Sequence, residues 1–185
     1  LILVFNKVFH IRISAHGCGS AGPIFLLLYF GLYAPAAIMA VLTVIADQLV
    51  KALSLRLEQD VLLIPGVLCF TYAENTGMAF SMFSGHTWLL GVVSAACILA
   101  GWLILRRYRL GGCSRIAAML MLGGAAGNML DRFFRGYVID MFEVLFVRFA
   151  VFNVADAALT VGTVLMAASL LLRPEEWREK HDGSN

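Results

Sequence analysis

IFLLLYFGLYAPAAIMAVLTVIA, residues 24–46, runs for 23 residues without a charge. A helix needs about 20 apolar residues to cross about 30 Å of hydrocarbon, so this stretch can span a bilayer. The rest of the chain agrees. Of its 185 residues 61% are hydrophobic and 14% charged, with a mean hydropathy of +0.84; an ordinary soluble domain has about 45–50% and about 25%. This composition excludes a disordered chain, a nucleic-acid-binding domain and a secreted disulfide scaffold. It predicts a polytopic membrane protein of one domain. Three more stretches can span: residues 86–105, again uncharged, residues 110–130, with Arg115 near the start, and residues 154–172. Lipid offers backbone groups no water, so all four are predicted as helices.

Lys and Arg set the orientation. The link between the second and third spans holds Arg106, Arg107, Arg109 and Arg115 and no acid; with Lys7, Arg12, Arg173, Arg178 and Lys180 that makes nine basic residues on one side. The other side holds five, Lys51, Arg56, Arg132, Arg135 and Arg148. Both termini are therefore expected in the cytoplasm, and segments 47–85 and 131–153 face outward. Residues 1–20 are expected to form a lead outside the fold, 21–173 the membrane domain, and 174–185 a solvated cytoplasmic tail.

The outer segments carry structure of their own. Residues 61–64, 67–72 and 79–83 look like strands, punctuated by Pro65-Gly66 and Asn75-Thr76-Gly77. Residues 141–152 (MFEVLFVRFAVF) are apolar and aromatic but too short to span, which predicts a strand or a surface-lying segment. The expected fold class is an all-α membrane protein of four transmembrane helices with a small extracytoplasmic cap, β-rich or amphipathic.

On this topology the polar residues near membrane boundaries fall at one depth, the outer face. Asp47 and Gln48 end the first span. Asn128, Asp131 and Arg132 end the third. Asn153 and Asp156 begin the fourth, and Asn75 and Asp140 belong to the outer segments. The uncharged run after Asp156, residues 157–172, rises roughly 24 Å at about 1.5 Å per residue, short of the hydrocarbon thickness. Residues 116–130 give roughly 22 Å by the same rise. Asp156 and Asp131 thus sit at or just inside the lipid edge, where a charge is costly and marks function or a buried partner. Asp47 and Lys51 are spaced i,i+4, as an ion pair would be. Asn128 shares a helix face with Asp131 and Arg132, and Asn153 precedes Asp156 by three. Gly123 and Gly127 form a GxxxG, suited to close helix approach.

Two carboxylates held close share one proton and can act as base and acid around one water. Asp140 and Asp156 are separated by a short outer segment and a helix start that could return them face to face. Asp131 is a rival member of the pair. Lys51 and Ser54 could be sought as a Ser–Lys dyad, though no oxyanion motif accompanies them. An ion or proton carrier would place its carboxylates near the midplane, not at one surface. A non-catalytic membrane subunit is the third alternative. Cys18, Cys69, Cys97 and Cys113 form no CxxC pair, and Cys97, in an apolar run, is expected as a small buried hydrophobe. His10, His16, His86 and His181 are scattered without an HExxH, so no metal is expected.

Five segments, in order, carry a resemblance: Asp47-Gln48 with Lys51; Asn75-Thr76-Gly77-Met78-Ala79-Phe80; Gly123-Gly124-Ala125-Ala126-Gly127-Asn128 followed by Asp131-Arg132; Val138-Ile139-Asp140; and Phe152-Asn153-Val154-Ala155-Asp156. Over about residues 25–172 the chain resembles the bacterial lipoprotein signal peptidase family, signal peptidase II, intramembrane aspartyl proteases. The resemblance implies that Asp140 and Asp156 are the catalytic pair. It implies that Asn75, Gly77, Asn128, Arg132, Asn153 and Ala155 shape the site or hold substrate backbone. Asp47 and Lys51 are implied to be structural or substrate-orienting, and Asp131 to support the site by pairing with Arg132. The implied reaction cleaves a prolipoprotein just before a cysteine carrying diacylglycerol. The implied protein is a monomer in the bacterial inner membrane, with the active site at the outer face, lipid and precursor as partners, and no cofactor or nucleic acid. Met141 departs from the phenylalanine common after the catalytic aspartate, and residues 1–20 have no usual counterpart.

Overall fold

The computed structural model describes residues 21–77, 85–174 and 177–179. Residues 1–20, 78–84 and 180–185, with the expected strand at 79–83 and the expected lead, lie outside the described residues. The chain divides into one compact unit up to Ala37 and a second from Ile38 onward. In the first, the described residues are helical. All residues discussed below belong to the second.

Among the described residues, four helices and five strands follow in order: α1 (Ala21–Ser54), β1 (Val61–Ile64), β2 (Leu68–Asn75), α2 (Thr87–Arg107), β3 (Tyr108–Leu110), α3 (Gly112–Phe134), β4 (Val138–Val144), α4 (Val154–Leu172) and β5 (Trp177–Glu179). Among the described residues, three stretches are long and apolar enough to cross a membrane: Ala37–Ser54, Thr87–Leu105 and Val154–Leu172. Their outward faces carry exposed apolar side chains such as Val41, Leu49, Leu99, Trp102 and Val164, the inside-out pattern of helices solvated by lipid. α3 does not qualify, and its sequence shows why. It packs against both α2 and α4, and its buried face is Ser114, Ala117, Ala118, Gly123, Gly124, Gly127, Asn128 and Asp131. A helix enclosed by neighbours needs small and polar residues more than apolar ones.

The glycines set that approach. A Cβ on Gly123 would lie 2.8 Å from the Ala40 carbonyl oxygen of α1, and one on Gly124 2.5 Å from that of Ala155 in α4. Successive glycines thus bring two different neighbours to α3 at one level.

Outside the helices, β1, β2 and β4 form an antiparallel sheet in the order β1-β2-β4. Pro65-Gly66, with Gly66 at φ 72°, turns β1 back onto β2. The strand expected at 67–72 runs instead from Leu68 to Asn75, and the segment 141–152 splits. Its beginning is the second half of β4, and its end, Phe152, bridges back to Phe142. β4 is buried from Val138 to Met141 and opens towards Val144.

Two expectations are corrected. Cys97 is exposed on α2, with Cys69 the buried one; a span surrounded by lipid turns apolar residues outward. The expected solvated tail is not free at its start, because β5 pairs with β3. Tyr108 and Trp177 meet edge-on there, with ring centroids 6.1 Å apart.

Candidate active site

Three helix ends and two strand ends bring the polar residues together. α1 supplies Asp47, Gln48 and Lys51 from its last two turns. α3 supplies Asn128, Asp131, Arg132 and Arg135 around its C-terminus. β4 supplies Asp140, Asn75 closes β2, and Asn153, Ala155 and Asp156 open α4.

Lys51 is fully buried, a position a cation tolerates only with partners. Its Nζ lies 2.6 Å from Asp47 Oδ2 and 2.7 Å from Asp131 Oδ2. It also donates to Asn128 Oδ1 at 3.1 Å. Asp47 Oδ1 accepts the Ala155 backbone N–H at 2.9 Å, docking α1 onto the start of α4. Asp131 further accepts from Gln48 Nε2, from Arg135 and from the Ile139 backbone N–H. Two carboxylates and two cations thus form a closed, neutral cluster.

Beside it stands a second layer. Asn153 caps α4: its Oδ1 accepts the Asp156 N–H at 2.8 Å, and Asp156 Oδ2 accepts the Asn153 N–H at 3.3 Å, a reciprocal capping box. Because the Asn153 oxygen faces the helix, its amide nitrogen faces away and donates to Asp140 Oδ1 at 2.7 Å and to Asn128 Oδ1 at 3.1 Å. Asn128 Oδ1 therefore receives both Lys51 and Asn153, and its nitrogen donates to Asp156 Oδ1 at 2.7 Å. Asn75 Nδ2 donates to Asp140 Oδ2 at 2.9 Å. All four oxygens of Asp140 and Asp156 accept a hydrogen bond, and donor-only groups at the far ends fix which way each amide points.

Asp140 is 2% exposed, while Asp156 is half-buried. Burial pushes the Asp140 carboxyl up to about 6; the nearby Asp156 charge adds to the rise, against the Asn75 and Asn153 hydrogen bonds and the Lys51 charge. A carboxyl near 6 keeps a proton where an ordinary one has lost it. Asp156 is the more exposed of the two carboxyl groups.

The Arg132 guanidinium lies within electrostatic reach of Asp156, Asp140 and Asp131. It donates to the Gly77 carbonyl oxygen at 3.2 Å, and its buried Nε has no hydrogen-bond partner among the described residues. Gly77 N–H in turn donates to Asn75 Oδ1 at 2.9 Å, holding that amide toward Asp140.

Eleven residues singled out in the sequence thus join one hydrogen-bonded network: Asp47, Lys51, Asn75, Gly77, Asn128, Asp131, Arg132, Asn153, Ala155, Asp140 and Asp156. Two details differ from expectation. Asp131 pairs with Lys51 and Arg135, not with Arg132; adjacent helical residues diverge by about 100°. Ser54 Oγ donates to the Lys51 carbonyl oxygen while Lys51 Nζ turns to the carboxylates, so the two form no Ser–Lys dyad. Sequence reasoning passed over Gln48 and Arg135 as site residues. Gln48 bridges Asp47 and Asp131, and Arg135 donates to the Gln48 oxygen. The i,i+4 spacing of Asp131 and Arg135 was the available signal.

Known proteins resemble this chain over most of its length. Residues 39–172 match the family described as Signal peptidase (SPase) II. A lipoprotein signal peptidase of Lactobacillus johnsonii is 38% identical over 75% of this chain and 93% of its own length. One from a Nostoc species is 37% identical over 74% and 89%. A bacterial membrane enzyme solved by the in meso method at 2.3 Å resolution superposes with a TM-score of 0.70 at 25% identity, covering 82% of this chain and 94% of its own.

Proposed function

Since the chain belongs to the signal peptidase II family of aspartic-type peptidases, we propose that Asp140 and Asp156 are its catalytic pair and that it removes the signal peptide of prolipoproteins before a diacylglyceryl-modified cysteine. The observation that carries this reading is the shared side chain Asn153, which donates to Asp140 and caps the helix bearing Asp156. It links two carboxyl-bearing residues from different parts of the chain through one side chain.

The chemistry follows from the environments. Asp140 holds the shared proton and Asp156 is the base. A water between them gives a proton to Asp156 as its oxygen attacks the scissile carbonyl carbon; Asp140 protonates the carbonyl oxygen. The tetrahedral diol then collapses. One hydroxyl returns its proton to Asp140, the proton on Asp156 passes to the leaving nitrogen, and the C–N bond breaks. The amides of Asn75, Asn128 and Asn153 hold both carboxyl groups in place throughout, so little reorganisation is needed. Arg132, with a spare buried donor, takes a substrate carbonyl. The cluster of Asp47, Lys51 and Asp131 fastens α1, α3 and α4 beneath.

The membrane setting belongs to the same reading. All four helices span, α3 shielded by the others. The basic bias of Arg106, Arg107, Arg109 and Arg115 keeps that link and both termini in the cytoplasm. The pair then lies at the outer face of the bacterial inner membrane. There the acyl chains of the precursor stay in lipid while the scissile bond meets water. The protein works as a monomer, and residues 21–173 are the peptidase domain.

The test is cleavage of a diacylglyceryl-modified precursor by purified Asp140→Asn and Asp156→Asn proteins that still fold. Both are expected to be inactive. Wild-type turnover by either one sinks the assignment.

A further inference from the structure

β2 is the middle strand of its sheet, yet only part of it is covered on both sides. β4 lies along it from Leu68 opposite Val144 to Asn75 opposite Val138, with a break in register between Phe70 and Ala73. β1 pairs only with Leu68, Cys69 and Phe70. Continuing the β1 ladder backward would set Asp60 beside Thr71, but the pairing stops at Val61 and the preceding residues bend. Among the described residues, 71–75 therefore have no strand on the side away from β4.

This open stretch has two distinguishing features. It leads into the site, ending at Asn75, which donates to Asp140, and at Gly77, whose carbonyl Arg132 holds. It is also more polar than the rest of the sheet's outer side. Thr71, Tyr72 and Glu74 line it, whereas β1 presents Val61, Leu62, Leu63 and Ile64, all exposed. The apolar strand suits lipid; the polar stretch suits a chain that comes from water.

An uncovered strand edge offers N–H and C=O groups at the spacing of an extended peptide, and added strands are a recurrent mode of peptide binding. We propose that the segment of the precursor following the cleaved bond docks as an added strand on residues 71–75 of β2, which delivers the scissile bond past Asn75 to the carboxyl pair. The inference rests on the reading of Asp140 and Asp156 given above. Main-chain pairing is indifferent to side chains, so this subsite accepts mature segments of differing sequence, while the lipid-bearing cysteine sets the register. At about 3.3 Å per residue the open edge accommodates about five residues.

A scan of the substrate backbone tests it. Synthetic diacylglyceryl lipopeptides carry one N-methyl amide at each of the five positions after the modified cysteine and are cleaved by the full-length enzyme. A strand has one N–H of every two facing its partner, so N-methylation at alternate positions is expected to lower kcat/KM about tenfold through KM, the loss of about one hydrogen bond. The positions between change by less than twofold. A response that is uniform or absent, with Asp140→Asn inactive on the parent peptide, overturns the docking alone. Normal cleavage by Asp140→Asn overturns the pair on which it rests. A second measurement places the strand. A benzophenone on the third residue after the cysteine, bound to Asp140→Asn enzyme, is expected to cross-link within residues 71–75; cross-links confined to β1 or to residues 143–150 overturn the proposal.

Discussion

Asp140 is tied to the N-terminus of the helix bearing Asp156 by one side chain, Asn153, which donates to Asp140 Oδ1 at 2.7 Å while its oxygen accepts the Asp156 N–H at 2.8 Å. The cap of α4 is therefore also the spacer of the carboxyl pair. Asn153→Ala removes both functions. Loss of the cap is expected to lower stability by about 0.5–2 kcal/mol. Cleavage is expected to fall much further than that loss explains. A kcat retained in the folded fraction would show that the spacer is dispensable.

Replacing either acid isolates the chemistry from the fold. Asp140→Asn and Asp156→Asn keep size but each sets an NH2 against one of the two donors that the carboxyl group accepts, so stability should fall by about 1–3 kcal/mol while the protein still folds. Turnover should drop on the order of 10²–10⁴-fold or more, as for loss of a general acid or base. Asp131→Asn is the control. Its carboxylate serves Lys51, Gln48 and Arg135, so the expected loss is in stability, with activity surviving in the folded fraction. If Asp131→Asn alone stops the reaction in folded protein, the pair has been assigned to the wrong residues.

The raised Asp140 carboxyl gives a pH dependence with a definite sign. Burial favours the protonated acid, so the native state holds this proton more tightly than the unfolded chain, from 3.8 up to about 6. That contribution to stability is full below about pH 4 and is lost as pH rises through about 6. Activity follows the same proton: kcat/KM is expected to decline on an alkaline limb at or above about pH 6, since the pair needs one proton. Asp156→Asn removes the like charge, so the Asp140 carboxyl should titrate lower, as read by infrared difference spectroscopy of the carboxyl band. An unchanged titration would mean that the two do not interact.

Lys51 stands between two buried carboxylates. Lys51→Met leaves Asp47 without a cation and Asp131 with Arg135 alone, and the expected cost is about 3–5 kcal/mol, measured by chemical unfolding in micelles. It also removes a positive charge that holds the Asp140 carboxyl down. The variant, rescued by low temperature, should show a shifted pH–rate profile. A stable variant with the wild-type profile would contradict both roles.

Gly124 tests the helix approach that brings Asn128 near α4. A Cβ there meets the Ala155 carbonyl oxygen at 2.5 Å and Leu159 Cγ at 2.9 Å. Backbone cannot yield as a flexible side chain would, so Gly124→Ala should destabilise by about 1–3 kcal/mol. Gly112→Ala, in open space, should cost far less. Equal effects in thermal unfolding would argue against close packing here.

Much of this protein is legible along the chain because lipid imposes a one-dimensional rule. A helix must run about 20 apolar residues to span, and residues 154–172 announce α4 at the boundaries it takes. The extended β1 at Val61–Ile64 is equally plain, bounded by polar residues and Pro65-Gly66. Charged and amide residues stand out against such a background. Asp140 and Asp156 could be singled out as candidates before any coordinates, though Asp131 remained a rival. What distinguishes them is direction in space. Asp131 and Arg132 are neighbours in sequence, yet one turns to Lys51 and the other to Gly77. The polarity of the Asn128 amide depends on partners 77 and 25 residues away. The pairing of β5 with β3 and the uncovered edge of β2 likewise depend on where separate segments stop beside one another. Local physics writes spans and caps into the chain; which side chains meet, and which backbone edge stays open, is a property of the packed whole.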